Sequence, residues 1–418
     1  MQFVHENIGT AKDNLKSPIH SWYKFTAGFS YKLIDTLIDS NLLKQDDMIF
    51  EPFAGCGTTL VQAQKRQIRA IGNEGQSFMY DVIKAKLNWN FDDSIMQKRL
   101  VNIIDFVQKN ESTLTTQFIN PLLYTLYTSE NLAQLYSIKS YIEGIEDEEI
   151  YLFFKLALSQ TLHKCSINPI STPYISRSKV LQDVKCLDAF YKIATTMLSD
   201  LKTYSSLERT SKIYLQDSRN INSEIPSNSC DTCITSPPYL NNLDYGEVSK
   251  VQSHFFGITS NWNDITQKVR KNLVTASTTH YAENKFSLEE WKSSEFYQKN
   301  NKVAEQLIEY YHQIIDNRNE RKGNKSFDIM MLLYFQDMYN VIKEIRRVLK
   351  TGGKTFMVLG DSAPYGIFIP TTDILGDIAK NAGFNSYEKI KIRTRGTKWK
   401  TLKHRHSLEL SENILILE

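Results

Sequence analysis

Apolar residues recur at helical spacing early in the chain, at Tyr31, Leu33, Ile34, Leu37 and Ile38. The run Asp47-Met48-Ile49-Phe50-Glu51 then reads as a short buried strand ending in a glycine-bearing turn. A helix over 58–66 and a second strand over 69–74 complete a βαβ beginning. Residues 91–210 read as predominantly helical. Leu132, Leu135, Tyr136, Ile138 and Ile142 share one face, and Val184, Leu187, Ala194, Leu198 and Leu201 share another. An irregular proline-containing stretch, 167–179, lies between them. Strand-like segments at 212–217 and 230–236 restore the α/β rhythm. A polar stretch rich in Asn, Lys, Glu and Thr, 255–327, gives no clear period. A helix over 328–349, a Gly352-Gly353 turn, a strand over 355–359 and a helix over 372–382 follow. Two strands close the chain, the last over 412–417. The alternation predicts an α/β fold: a largely parallel sheet with helices on both faces and a large helical insertion. The expected segments are 1–90, 91–210, 211–254, 255–327 and 328–418, with the second and fourth inserted into one domain.

With 418 residues, 41% hydrophobic and 23% charged, the chain can bury a core without disulfides. Five cysteines, an odd number with no framework spacing, fit a reducing cytoplasm. The first ten residues lack the basic and apolar regions of a signal peptide, and no apolar run approaches the ~20 residues of a membrane helix. Neither is expected. The net charge of +3 is too small for a uniformly basic nucleic-acid binder, so positive charge must be local. Residues 391–406 carry Lys391, Arg393, Arg395, Lys398, Lys400, Lys403 and Arg405 with no acidic residue.

Ligands of open α/β sheets bind at the carboxyl ends of strands, and two unusual clusters sit there. Glu51-Pro52-Phe53-Ala54-Gly55-Cys56-Gly57-Thr58 turns from strand to helix through two glycines, which let backbone approach a ligand closely. The helix start faces a carboxylate favourably. Glu74, ending the next strand, can accept from both hydroxyls of a ribose. Thr58 stands where a phosphate-binding P-loop needs lysine, which leaves NAD or S-adenosylmethionine rather than a nucleoside triphosphate. The second cluster is Thr235-Ser236-Pro237-Pro238-Tyr239. Its prolines fix the backbone, their neighbouring carbonyls can point into a pocket, and the tyrosine offers a stacking face. Cys230 and Cys233 lie within the strand leading in and read as structural cysteines. Cys56 reads as a small residue beside the turn, and His20 and His254 as ordinary surface polar residues.

The second cluster resembles the catalytic motif of amino-methylating DNA methyltransferases, (Asp/Asn/Ser)-Pro-Pro-(Tyr/Phe/Trp). Phe53-Ala54-Gly55-Cys56-Gly57 resembles the cofactor motif of the same family, Phe-x-Gly-x-Gly. The likeness covers 17–90 and 211–250 well and 328–418 more loosely. It implies a Rossmann-like S-adenosylmethionine-dependent methyltransferase fold with no metal requirement. Phe29, Glu51, Phe53, Ala54, Gly55, Gly57, Thr58, Glu74 and Asp217 would bind the cofactor, with Asp217 near the adenine amino group. The segment His20 to Phe29 would close over its methionine end. Ser236 and the Pro237 carbonyl would draw an exocyclic amino nitrogen toward the methyl group, Pro238 would stiffen the turn, and Tyr239 would stack on a base flipped out of the duplex. In this family serine at the first motif position accompanies cytosine N4, and Asp or Asn accompany adenine N6. The expected product is therefore N4-methylcytosine in double-stranded DNA. Adenine N6, an RNA amino group, or a non-catalytic DNA-binding subunit are the alternatives. The setting implied is a restriction-modification system with a cognate endonuclease. Arg393, Arg395, Lys398, Lys400 and Lys403 would grip phosphates, and segments 91–210 and 255–327 would read sequence. The long insert ahead of the Asp217 strand departs from the family's common arrangements.

Overall fold

The computed structural model describes residues 8–110, 120–171, 174–175, 180–181, 184–395 and 408–418. Seven strands form one mixed sheet: β1 (Met48–Glu51), β2 (Arg69–Glu74), β5 (Ser211–Leu215), β6 (Cys230–Thr235), β7 (Leu349–Gly360), β8 (Tyr387–Arg395) and β9 (Leu410–Leu417). They are ordered β5-β2-β1-β6-β7-β9-β8. A separate two-stranded ribbon pairs β3 (Ile170–Ser171) with β4 (Tyr174–Ile175). The first five strands of the main sheet run parallel, while β9 is antiparallel to both β7 and β8. The sequence expectation of an α/β sheet holds, with this antiparallel edge added.

Helices cover both faces because successive strand residues alternate between two cores. In β1, Ile49 enters one core and Phe50 the other. In β7, Phe356 and Val358 face the first, Met357 and Leu359 the second. The second core is closed by the helices Asn301–Glu320, Phe327–Val348 and Thr371–Asn381. Part of the polar stretch thus becomes a twenty-residue helix. Its apolar positions Val303, Ala304, Leu307 and Ile314 were too sparse among charged neighbours to show a period.

The first core is continuous with the helical insertion. The helix Glu148–Cys165 buries Phe153 against Trp22, ahead of the cofactor turn, and against Phe91. All five cysteines are buried and unpaired in disulfides, as expected for Cys230 and Cys233 on their strand. Among the described residues no helix is long and apolar enough to cross a membrane. The shared core predicts that Phe153→Ala lowers stability by about 3–5 kcal/mol. Denaturant melts followed by circular dichroism and by tryptophan fluorescence should shift together in a single transition. Two separated transitions would show that the insertion folds apart from the sheet.

Candidate functional site

The two clusters meet because their strands are neighbours. β1 and β6 pair in parallel, Ile49 opposite Thr232 and Phe50 opposite Cys233, so the turns that follow them leave the same edge. A cleft of about 810 Å³ opens there. Phe29, Phe53, Ala54, Gly55, Thr58, Glu74 and Asp217 line it from the side of the glycine turn, Ser236 and Pro238 from the side of the proline turn. An adjoining hollow of about 380 Å³ is lined by Ser236, Tyr239, Tyr245, Arg393, Arg395 and Glu412. Ala27, Gly28, Ser236 and Tyr245 border both spaces.

At the first turn the backbone dictates glycine. Gly55 has φ +56 and Gly57, at the N-cap of Thr58–Lys65, has φ +82. A Cβ on Gly57 would also press on Ile83 at 3.3 Å. Gly57 therefore shapes the turn without lining the cleft. Glu51 was expected at the cofactor, but its carboxylate is buried behind the turn. It accepts from the Phe53 amide at 3.0 Å and the Thr59 hydroxyl at 2.7 Å, bracing both ends of the turn. Burial pushes its pKa up to about 8. Glu74 does line the cleft, and accepts from the amides of Gly55 at 2.9 Å and Gln76 at 2.8 Å. Burial raises it to about 7 against those donors.

The segment ahead of the turn folds across it. Phe25, Ala27, Gly28 and Phe29 line the cleft. Asn14 fastens this segment, donating to the Phe29 carbonyl at 2.9 Å and the Thr58 hydroxyl at 3.2 Å. His20 is not a surface residue: it is buried, within 3.1 Å of Gln62 Oε1, and burial holds its pKa well down. Beside it the buried Lys86 ammonium donates to the carbonyls of His20 at 3.1 Å and Cys56 at 3.0 Å, tying segment to turn. Lys86 was missed, although it falls on the apolar helical face of Met79, Val82 and Ile83, where a lysine is itself a signal.

Asp217 lines the cleft, but its carboxylate is paired with Arg219, Oδ2 to Nη2 at 2.7 Å. Arg219 also meets Asp337 at 3.3 Å and the Lys271 carbonyl at 2.6 Å. Neither Arg219 nor Asp337 carried a sequence signal.

On the other side, the proline turn is clamped by two tyrosines that the sequence did not single out. The Tyr334 hydroxyl donates to the Pro238 carbonyl at 3.0 Å. That carbonyl is therefore engaged within the fold. The Tyr239 amide donates to the Tyr245 hydroxyl at 3.3 Å. Ser236 stays half-buried between the two spaces. Burial raises the Tyr239 hydroxyl well above the usual phenol range, helped by nearby Glu412, so it stays protonated.

The residues expected to grip phosphates divide. Arg393 pairs with Glu412, and the Arg395 guanidinium lies 5.0 Å from the centre of the Tyr239 ring. Both line the hollow, Arg393 with its side chain 40% exposed. Lys398, Lys400 and Lys403 lie outside the described residues. Arg270, within the 255–327 stretch expected to read sequence, has a buried side chain bound to Asp244 at 2.7 Å. Among the described residues no group of three or more His, Cys, Asp or Glu is placed to hold a metal.

A sheet of this kind with a divided cleft at its centre can be compared with known proteins. The chain is 24% identical over 432 residues to the Type II methyltransferase M.AvaI of a Nostoc species, covering 94% of this chain and 85% of that protein. It is 25% identical over 425 residues to the Type II methyltransferase M.BsoBI of Geobacillus stearothermophilus, covering 91% and 81%. M.MvaI of Kocuria varians is 19% identical over 453 residues, 99% of this chain and 93% of its own length. The chain is similar to Type II methyltransferases. No family model matches it. The likeness spans nearly the whole chain, and the fold is consistent with an α/β methyltransferase.

The burial of Glu51 has a pH signature. A carboxyl whose folded pKa is about 8, against 4.5 when unfolded, binds its proton more tightly in the folded state. Its contribution to stability is present below pH 4.5 and is lost as pH rises toward 8. Glu51→Gln should therefore flatten the fall in stability across this window, as read by denaturant melts at a series of pH values. An unchanged slope would show Glu51 to be ionised in the fold.

Proposed function

We propose that this chain transfers the methyl group of S-adenosylmethionine to the exocyclic N4 amino group of cytosine in duplex DNA, as the modification enzyme of a restriction-modification system. The observation that carries this reading is the divided cleft, whose two spaces share Ser236 and Tyr245 as a border. A methyl donor in one space and a planar base in the other would meet at Ser236. Near full-length likeness to Type II methyltransferases supports the same chemistry.

The residues fit the donor. Glu74 offers a buried carboxylate to ribose hydroxyls, and the helix starting at Thr58 faces the amino-acid carboxylate. Phe25 and Phe29 exclude water from the sulfonium end. Bound there, S-adenosylmethionine supplies an activated methyl group. Asp217, held by Arg219, is the carboxylate assigned to the adenine amino group.

In the smaller space, Tyr239 stacks on the flipped base. The Ser236 hydroxyl and the Pro237 carbonyl accept from the amino hydrogens. The lone pair would thereby be withdrawn from the ring and aimed at the methyl carbon, which is catalysis by orientation. The N–C bond would form as the S–C bond broke, S-adenosylhomocysteine would leave and the nitrogen would release one proton to solvent. Serine at the first motif position supports cytosine N4. Lys398, Lys400 and Lys403 are assigned to the phosphate grip, segments 91–210 and 255–327 to sequence reading, and a nuclease of the same site to the role of partner. A cytoplasmic location goes with that setting.

Duplex DNA incubated with the protein and isotopically labelled S-adenosylmethionine, then digested to nucleosides, should yield labelled N4-methylcytosine by mass spectrometry. Labelled N6-methyladenine would move the target base, and label in RNA alone would remove the DNA reading. Ser236→Ala should lower transfer by about a hundredfold with cofactor affinity nearly unchanged in a calorimeter. Glu74→Ala should instead weaken cofactor binding by about ten- to a hundredfold. The opposite pattern would overturn this division of roles.

A further inference from the structure

Tyr239 is anchored from the far side of the sheet. Its hydroxyl donates to Glu412 Oε1 at 3.0 Å, although stacking against a base needs only the ring. Glu412, near the start of β9, is 2% exposed. A buried carboxylate is stable only when paired, and two side chains pair it. Arg393 donates to Glu412 with Nη2 at 3.1 Å from Oε1 and with Nε to Oε2, a two-point grip.

The backbone is built around this contact. A register shift in β8 between Lys391 and Arg393 puts Arg393 opposite Glu412 across the β8–β9 pair. Arg395, two residues further and on the same face, reaches over the Tyr239 ring. Gly9 closes the other side. Its carbonyl accepts from Arg393 at 3.3 Å, and a Cβ at that position would overlap the Glu412 carboxylate.

We propose that Glu412, clamped by Arg393, is a positioning residue of the base compartment. It fixes where the Tyr239 ring lies, so that a base stacked on it presents its amino group to Ser236. This inference rests on reading Tyr239 as the stacking residue for a flipped base. It adds the last strand of the sheet to the site, a part of the chain that the resemblance covers only loosely.

The test is a double-mutant cycle of kcat on duplex DNA carrying the protein's own methylation site, once sequencing of methylated DNA has identified it. Tyr239→Phe keeps the Arg393–Glu412 pair and the ring, and should lower kcat about tenfold with cofactor affinity within about twofold of the parent. Glu412→Ala should lower kcat at least as much, and Glu412→Gln, which keeps an acceptor, should recover part of the loss. Tyr239→Phe added to Glu412→Ala should cost nothing more. Should Glu412→Ala fail to fold, Tyr239→Phe decides alone. Full kcat in Tyr239→Phe, or additive losses in the cycle, would overturn the positioning role. A parent protein that binds cofactor yet methylates no DNA would overturn the reading beneath it.

Discussion

The parallel pairing of β1 with β6 is the contact on which the site depends. From β1 the chain winds outward through β2 to β5, and from β6 it winds the other way through β7. The order reverses between these two strands, so the crossovers diverge and a crevice is left at their carboxyl ends. A Gly-rich turn from one strand and a doubly proline-fixed turn from the other form opposite walls. Neither turn could make the site alone. Residues nearly two hundred positions apart meet because four-residue β1 is clamped between two parallel neighbours.

Around that crevice, buried polar groups hold backbone rather than serve as free reagents. Glu51 braces the cofactor turn from behind, Lys86 ties it to the segment folded over it, and Tyr334 and Tyr245 pin the catalytic turn. Each is satisfied by a hydrogen-bond partner, as burial requires. Orientation catalysis benefits from this stiffness, because a displacement of an ångström at the reacting atoms forfeits much of its advantage.

The parts legible in sequence were those carried by local pattern. Strand runs with period two, the glycine pair, Glu74 at a strand end and the Pro-Pro turn each announce themselves within a few residues. Ser236, Gly55 and Glu74 accordingly stand at the cleft. Glu51 shows the limit of that reasoning: proximity to a ligand turn does not say on which side of the backbone a carboxylate lies. His20 was misjudged because its burial depends on the packing of segments far apart in the chain. Tyr334, Tyr245 and Glu412 are ordinary residues in their local settings and gain meaning only from tertiary contacts. Arg393 and Arg395 belonged to a basic run that read as a phosphate grip. The register shift in β8, invisible in composition, turns them toward Glu412 and Tyr239.

The account stands or falls on whether the methyl donor sits at the seam between the two spaces. A crystal structure with bound S-adenosylhomocysteine tests this directly. The ligand is predicted in the cleft lined by Gly55 and Glu74, with its sulfur toward Ser236 and the hollow beside Tyr239 left open for a base. Ligand bound elsewhere, or turned with its sulfur away from Ser236, would contradict the arrangement.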